Sequence, residues 1–271
     1  MKKVSVIIPC YKNANLTKAC LESIRLYTHM PCELILIDDF SDDNGETQKV
    51  FEEFSSEKDI VVYNSINSGG CSRVWNQGLK LATNDYIMIM NNDMLVSENW
   101  LSKLLNTFDT SLNVKVVCPS LISHNKDGAH YVMRSEEGVN LFHKITRTLS
   151  IDHANEYMNA SMGPCFMFHR ELLREIGLFD ETFGHGGFED CDWFDRIIMK
   201  GYYLATRKDV WLYHHKYKGI INFSNLLEKQ TVDYEYFSLK VKIRAEYLNN
   251  ISDGEVKEMC KVIKEYKNES I

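Results

Sequence analysis

The chain lacks any apolar run of membrane-spanning length; YIMIM at 86–90 ends directly in Asn91-Asn92-Asp93. A bilayer-crossing helix needs about 20 apolar residues, so no span is expected. A dominant basic run is also missing. With 31 Lys+Arg against 38 Asp+Glu and a net charge of −7, the composition argues against nucleic acid as a partner. A polyanionic ligand would have to be held by a few local cations or a metal. There is no CxxC pair and no regular cysteine framework. The eight cysteines are scattered, as expected of reduced thiols in a cytoplasmic protein, many of them small core residues. Internal repeats and low-complexity segments are absent. The opening MKKVSVIIPCYKN has the lysines and apolar run of a signal peptide, but Pro9 cuts the run short, so it reads as a strand.

What is present suits a globular enzyme-sized chain. Its 271 residues can form one large α/β domain, or one domain plus a small appendage, around a sizeable core. Strand-like runs VSVII (4–8), ELILI (33–37), IVVY (60–63), YIMIM (86–90) and VKVVC (114–118) alternate with helical patterns. The helices are expected from Asn13 or Asn15 to Ile24, over Glu46–Phe54, from Cys71 to Ala82, and over Glu98–Phe108. Continuous apolar strands separated by helices predict a mostly parallel central sheet with flanking helices on both faces. Residues 119–160 read as long loops around a short hairpin. Residues 162–180 read as a strand, a helix and a Gly turn. A helix follows from about Asp190, then strand-like YLAT and VWLYHH, then two appended helices at 225–248 and 253–267.

Polar residues gather directly after the strands: Pro9-Cys10-Tyr11, Asp38-Asp39, Asn64 through Asn67, and Asn91-Asn92-Asp93. In open parallel sheets, ligands bind outside the carboxyl ends of the strands. Four such clusters on one rim favour a polar, nucleotide-sized ligand over loops that are polar for solubility alone.

GFEDCDWFDRI, residues 187–197, concentrates Glu189, Asp190, Asp192 and Asp195. At 100° per residue, Asp190 lines up with Trp193, Phe194 and Ile197 on the apolar face. Glu189, Asp192 and Arg196 fall on the opposite side, where they can be solvated and Asp192 can pair with Arg196. Asp190 is then either a helix cap or a group that does chemistry. Asp93, at the end of a central strand, suits a hard divalent cation that also binds phosphate oxygens, or else a turn or cap before a helix at Ser97. Either Asp38 or Asp39 could accept a base N–H, or both could start the DDFSDDNG loop. His214-His215 ends a strand, as packing residues or as metal ligands.

In order and spacing, these segments resemble the inverting glycosyltransferases of family 2, with the GT-A nucleotide-diphospho-sugar transferase fold, over roughly residues 3–220. VSVIIPCYKNANLTKACLESI resembles the family's opening strand and helix, LILIDDFSDD its nucleotide-contacting acidic loop, and NSGG…NQGL its Asn/Gly-rich segment. IMIMNND is similar to its metal-site triplet, GPCFMFHRELLREIGLFDETF to its acceptor-side strand and helix, and FEDCDWFDR to the acidic motif that holds the base. The resemblance implies Asp39 on a pyrimidine ring with Asp38 beside it, and Mn²⁺ or Mg²⁺ on Asp93 with His214 as a further ligand. It implies Asp190 as general base, supported by Glu189. Rim and resemblance together give Pro9, Tyr11, Asp38, Asp39, Asn67, Gly69 and Asn92 as the candidate nucleotide-binding set.

The chain departs from the family pattern at Asn91-Asn92-Asp93, where the first carboxylate is missing, and in a slightly long interval from Asn67 to Asn76. The QxxRW signature of processive synthases is absent. The expectation is therefore a GT-A domain over 1–220 and a C-terminal helical appendage over 221–271. Its reaction would move a single sugar from a nucleotide-diphosphate sugar, a UDP-sugar being favoured with a dTDP-sugar as the alternative, to an acceptor hydroxyl. The acceptor would be a glycan or a lipid-linked species in bacterial surface glycan or glycoconjugate synthesis. A catalytically inactive sugar-nucleotide-binding or scaffold protein of the same fold is the alternative. A sugar-phosphate nucleotidyltransferase would need a Gly-rich, Arg/Lys-bearing loop after the first strand, which PCYKNAN does not provide. In the appendage, Val256, Met259, Cys260, Ile263 and Tyr266 form one apolar stripe flanked by Lys257, Lys261 and Lys264. That stripe could pack on the catalytic domain, join a second copy, or rest peripherally on the inner face of the membrane.

Overall fold

A computed structural model describes residues 2–56, 59–109, 114–123, 163–183, 187–215 and 236–240. The strands are β1 (Val4–Cys10), β2 (Cys32–Asp38), β3 (Ile60–Asn64), β4 (Tyr86–Met90), β5 (Met94–Val96), β6 (Val114–Ser123), β7 (Cys165–His169) and β8 (Tyr203–His214). The helices are α1 (Ala14–Tyr27), α2 (Glu46–Ser55), α3 (Gly70–Leu81), α4 (Trp100–Thr107), α5 (Leu172–Ile176) and α6 (Glu189–Ile198). One eight-stranded sheet runs in the order β3-β2-β1-β4-β7-β6-β8-β5. Strands β3, β2, β1 and β4 are parallel, as is β6 with β8. Strand β7 is antiparallel to both its neighbours, and β5 is antiparallel to β8.

Alternation along the strands builds two apolar layers. Val6 and Ile8 of β1, Leu36 of β2 and Met88 of β4 face α1, α2 and α4. Ile7, Ile35, Ile37, Ile87 and Ile89 face α3, α5 and α6 on the other side. Both faces are covered, which is why these strands read as unbroken apolar runs in the sequence. Helix α3 lies unusually close to the sheet. A Cβ on Gly78 would meet Ile7 Cγ2 at 2.4 Å and Ile37 Cδ1 at 3.1 Å. Gly78→Ala should therefore destabilise the fold by about 1–3 kcal/mol through overpacking, read as a lower midpoint in urea unfolding.

The expected alternation of strands and helices stands for β1–β4, β6 and α1–α4, with ends shifted by a few residues. Two elements differ. Met94–Val96, to which the sequence reading assigns no element, form β5, which is too short to show a periodicity and exists through pairing with β8. YLAT and VWLYHH form one strand, with a pairing irregularity opposite Pro119/Ser120 of β6. The hairpin expected within 119–160 falls outside the described residues, except that β6 continues to Ser123. Of the appended helices, residues 236–240 are described and helical; the 253–267 stripe lies outside the described residues.

Candidate active site

The parallel strands converge on a rim at their carboxyl ends. Asp38 closes β2; its Oδ1 accepts from the Ser41 amide at 3.1 Å and its Oδ2 from Gln48 Nε2 at 3.2 Å, tying the loop to α2. Asp39 is buried and receives the start of α3. Its Oδ1 accepts from the Gly69 amide at 2.8 Å, and its Oδ2 from the Gly70 amide at 3.2 Å and Ser68 Oγ at 3.0 Å. Helix amides are natural partners for a carboxylate. Burial nevertheless pushes the Asp39 carboxyl up, against those donors. A further lone-pair direction on Oδ1 can take an N–H from a ligand.

The same rim carries exposed apolar groups: Tyr11 (41% exposed) after β1, Phe40 (55%) after β2 and Ile66 (85%) after β3. Phe40 and Ile66 were not singled out from the sequence. Phe40 also holds a left-handed backbone, φ 61°, which bulky residues rarely adopt. The Lys12 amide donates to Ser41 Oγ at 2.7 Å, joining the loops after β1 and β2. Pro9 is part-buried within β1 opposite Ile37, and Asn67 is exposed. Asn92 faces inward along the chain: its Nδ2 donates to Thr17 Oγ1 at 2.8 Å and to the Lys12 carbonyl at 3.4 Å. It thus anchors the loop after β1 to the start of α1.

Asp93 does not cap a helix; it leads directly into β5. Antiparallel pairing of Met94 with His214, and a 3.0 Å bond from the His215 amide to the Asp93 carbonyl, bring two distant segments together. Asp93 Oδ1 and His214 Nε2 are 3.2 Å apart, with both side chains largely buried. The Nδ1 of His214 is buried with no hydrogen-bond partner among the described residues. One carboxylate oxygen and one imidazole nitrogen are a suitable donor pair for a divalent cation that keeps its other positions for phosphate oxygens and water. Among the described residues no third His, Cys, Asp or Glu completes a protein cage. The pair is compatible with Mn²⁺ or Mg²⁺.

Asp190 sits in the first turn of α6, after Phe188 in the left-handed region at φ 73°. Its Oδ1 accepts from the Cys191 amide at 2.8 Å. Its Oδ2 lies over the backbone of Gly163, where an added Cβ would come within 2.6 Å. Gly163, just ahead of β7, was not picked out from the sequence; the small residue in MGPC is its signal. Asp190 keeps partial solvent access, yet burial of the carboxylate pushes its carboxyl up. The side chain of Cys71, in the first turn of α3, lies near Glu189, Asp39 and Asp190; burial and these charges push its thiol up, so it is neutral there. Around this thiol the structure brings together the acid of the α3 rim and the acids of α6.

The helix-face expectation needs correcting. Trp193, Phe194 and Ile197 are buried as expected, but so are Glu189 and Asp192, the latter at 0% exposure. Asp192 keeps its pairing with Arg196, Oδ2 to Nη2 at 3.1 Å. Arg196 turns inward as well, donating to the Ile176 carbonyl at 2.6 Å and the Leu178 carbonyl at 2.9 Å. Helical periodicity assumes one buried face. Helix α6 has two: the aromatic layer with Phe166 and Phe168 on one side, and the 176–180 turn with residues 236–240 on the other. Glu189 Oε2 accepts from the Gly187 amide, steadying the entry to the helix.

The sequence profile of the family described as glycosyl transferase family 2 matches residues 5–177. The chain is 33% identical to glycosyltransferase GlyG of Streptococcus pneumoniae over 224 residues, covering 79% of this chain and 69% of GlyG. It is 37% identical over 110 residues to poly(ribitol-phosphate) beta-N-acetylglucosaminyltransferase TarP of Staphylococcus aureus, covering 39% of this chain and only 33% of TarP. In structure it resembles S. aureus TarS 1-349 in complex with UDP-GlcNAc, with a TM-score of 0.63, 17% identity, and coverage of 96% and 70% of the two chains. It also resembles GalNAc-T7 with UDP, GalNAc and Mn2+, again at a TM-score of 0.63 and 17% identity, covering 79% and 44%. The fold is therefore a mixed α/β GT-A fold. The chain belongs to glycosyl transferase family 2.

Proposed function

We propose that this protein is an inverting glycosyltransferase that moves one sugar from a nucleotide-diphosphate sugar to an acceptor hydroxyl. The observation that carries the reading is the placement of Asp190. Its carboxylate, raised by burial, stands near the neutral Cys71 thiol, which also neighbours Asp39 of the rim. Asp39 would accept the pyrimidine N–H, with Asp38, Tyr11, Pro9, Asn67 and Gly69 around the nucleotide and Asn92 holding the loop after β1. A carboxylate whose proton affinity is raised by burial is a better general base than a solvated one, a role that contributes roughly 10²–10⁴-fold. Asp190 would take the acceptor hydroxyl's proton as its oxygen bonds to the anomeric carbon, opposite the departing diphosphate. Attack on that face inverts the anomeric centre. Glu189, held on the Gly187 amide, would fix the first turn of α6. Asp93 and His214 would hold Mn²⁺ or Mg²⁺, which supplies positive charge to the leaving diphosphate.

A UDP-sugar is favoured as donor, in line with the ligands named for TarS and GalNAc-T7, and a dTDP-sugar is the next candidate. The name of TarP, a poly(ribitol-phosphate) beta-N-acetylglucosaminyltransferase, favours a bacterial surface glycan as acceptor, with a lipid-linked species as the alternative. Seven free thiols among the described residues fit a reducing cytoplasm. Among the described residues no helix is long and apolar enough to cross a membrane. Residues 1–220 would form the catalytic domain and 221–271 an appendage for membrane-surface or self-association contacts.

The test is a panel of UDP-, dTDP- and GDP-sugars with Mn²⁺, monitored for nucleoside diphosphate release. One donor class should turn over, and EDTA should suppress it. Tight nucleotide-sugar binding with no turnover across the panel, even with glycan acceptors added, would favour the inactive binding protein instead.

A further inference from the structure

Residues 236–240 lie against the acidic segment that carries Asp190. Tyr236 Oη donates to Asp180 Oδ2 at 2.8 Å, and Lys240 Nζ donates to the same oxygen at 2.7 Å. The same ammonium reaches Asp192 Oδ1 at 2.7 Å. Phe237 stacks on Phe188, with ring centroids 5.5 Å apart and planes 18° from parallel. Lys240 follows Phe237 by three residues and Tyr236 by four, so its side chain neighbours both on one helical face. Lys240 also lies over the rings of Phe183 and Tyr236, at 5.3 and 5.2 Å. Carboxylates and aromatic faces thus surround one ammonium.

The bridged acids flank the segment that matters. Asp180 precedes it and Asp192 follows it; Phe188, Glu189 and Asp190 lie between. The Asp192 side chain is fully buried and carries Arg196 on its other oxygen. Burial alone would raise the Asp180 carboxyl, but Lys240, Thr182 and Tyr236 more than offset it and hold it well below the usual carboxylate range. The Asp180 side is itself pinned to α3, because Asn76 exchanges hydrogen bonds with both backbone groups of Phe179, at 2.9 and 3.1 Å. Phe188 holds its left-handed φ of 73° directly under the Phe237 ring. Such a backbone persists where its surroundings over-determine it.

We infer that Lys240, aided by Phe237, is a positioning residue for Asp190. By joining Asp180 to Asp192 and clamping Phe188, it holds the start of α6 where the Asp190 carboxylate meets the reacting hydroxyl. This rests on the reading of Asp190 as the base. Lys240 acts through Asp192 and Phe188, not through contact with the reacting atoms.

The experiment uses the full chain and the donor sugar that turns over in the nucleotide-sugar panel. Lys240→Met keeps the apolar stem and removes the charge. It should lower kcat by about tenfold or more while donor KM and UDP affinity stay within about twofold. Lys240→Arg, whose guanidinium can bridge two carboxylates, should restore kcat. Amides of residues 187–195 should exchange with solvent at least about tenfold faster in Lys240→Met, with those of β1–β4 unchanged. If Lys240→Met does not fold, Phe237→Ala is read in the same way. Wild-type kcat and wild-type protection in the folded variants would overturn the inference. So would parallel losses in kcat, UDP affinity and protection throughout the sheet, the mark of a general structural role. Asp190→Asn run alongside separates the two readings. If it turns over normally, Asp190 is not the base, and the exchange data still decide whether Lys240 holds the segment. If it is inactive while Lys240→Met is normal, only the positioning role fails.

Discussion

Asp190→Asn should lower kcat by about 10² or more while leaving donor binding within a few-fold, because the amide keeps the shape and loses the basicity. Single-turnover transfer and UDP calorimetry on the folded variant measure the two arms. The pH dependence follows from burial. Asp190 works only as the carboxylate, and its carboxyl is raised, so wild-type kcat/KM should fall on acidification above the ordinary carboxylate range. The stability sign is opposite to the catalytic one. A carboxyl raised in the folded state contributes stability below its unfolded pKa and loses it as pH rises through the folded value. Asp190→Asn should therefore be at least as stable as the wild type at neutral pH, as expected where a site keeps a costly group for function. Gly163→Ala tests geometry without touching the carboxyl itself. Its Cβ would stand 2.6 Å from Asp190 Oδ2, so the carboxylate must move. A misplacement of about 1 Å can cost about 10² in rate. Wild-type turnover in both variants would remove Asp190 from the reaction.

Asp93→Ala should abolish the enhancement of UDP binding by Mn²⁺. In the wild type the cation should tighten UDP by about tenfold or more, since it neutralises a diphosphate that an acidic protein otherwise repels. His214→Ala should give a smaller loss, because it leaves the carboxylate. Asp93 and His214 stand 3.2 Å apart at this position, and the neighbouring Asn91 and Asn92 add no second charge. Affinity for the metal without nucleotide should accordingly be weak. Calorimetry that returns the same UDP affinity in EDTA and in Mn²⁺ would sink the metal assignment.

Much of this was legible along the chain. The four parallel strands β1–β4 announce themselves as apolar runs, because a sheet covered on both faces needs no polar alternation. Their connecting helices carry the 3.6-residue stripe, and the acids at strand ends mark the rim because polar loop residues follow each buried strand. The Asp38-Asp39 pair, Asp93 and Asp190 could be singled out from such patterns, while the choice of Asp39 over Asp38 came from the family resemblance. Tertiary structure decided the rest. It placed His214 beside Asp93 through β5, a strand that forms only by pairing with β8. It buried Asp192 and Glu189, because α6 meets a second partner that its own periodicity cannot register. It seated Asp190 over Gly163 and bridged Asp180 to Asp192 with Lys240. Periodicity reports how one element meets one neighbour; contacts between segments far apart in sequence depend on how all the elements pack together, and no local pattern encodes them.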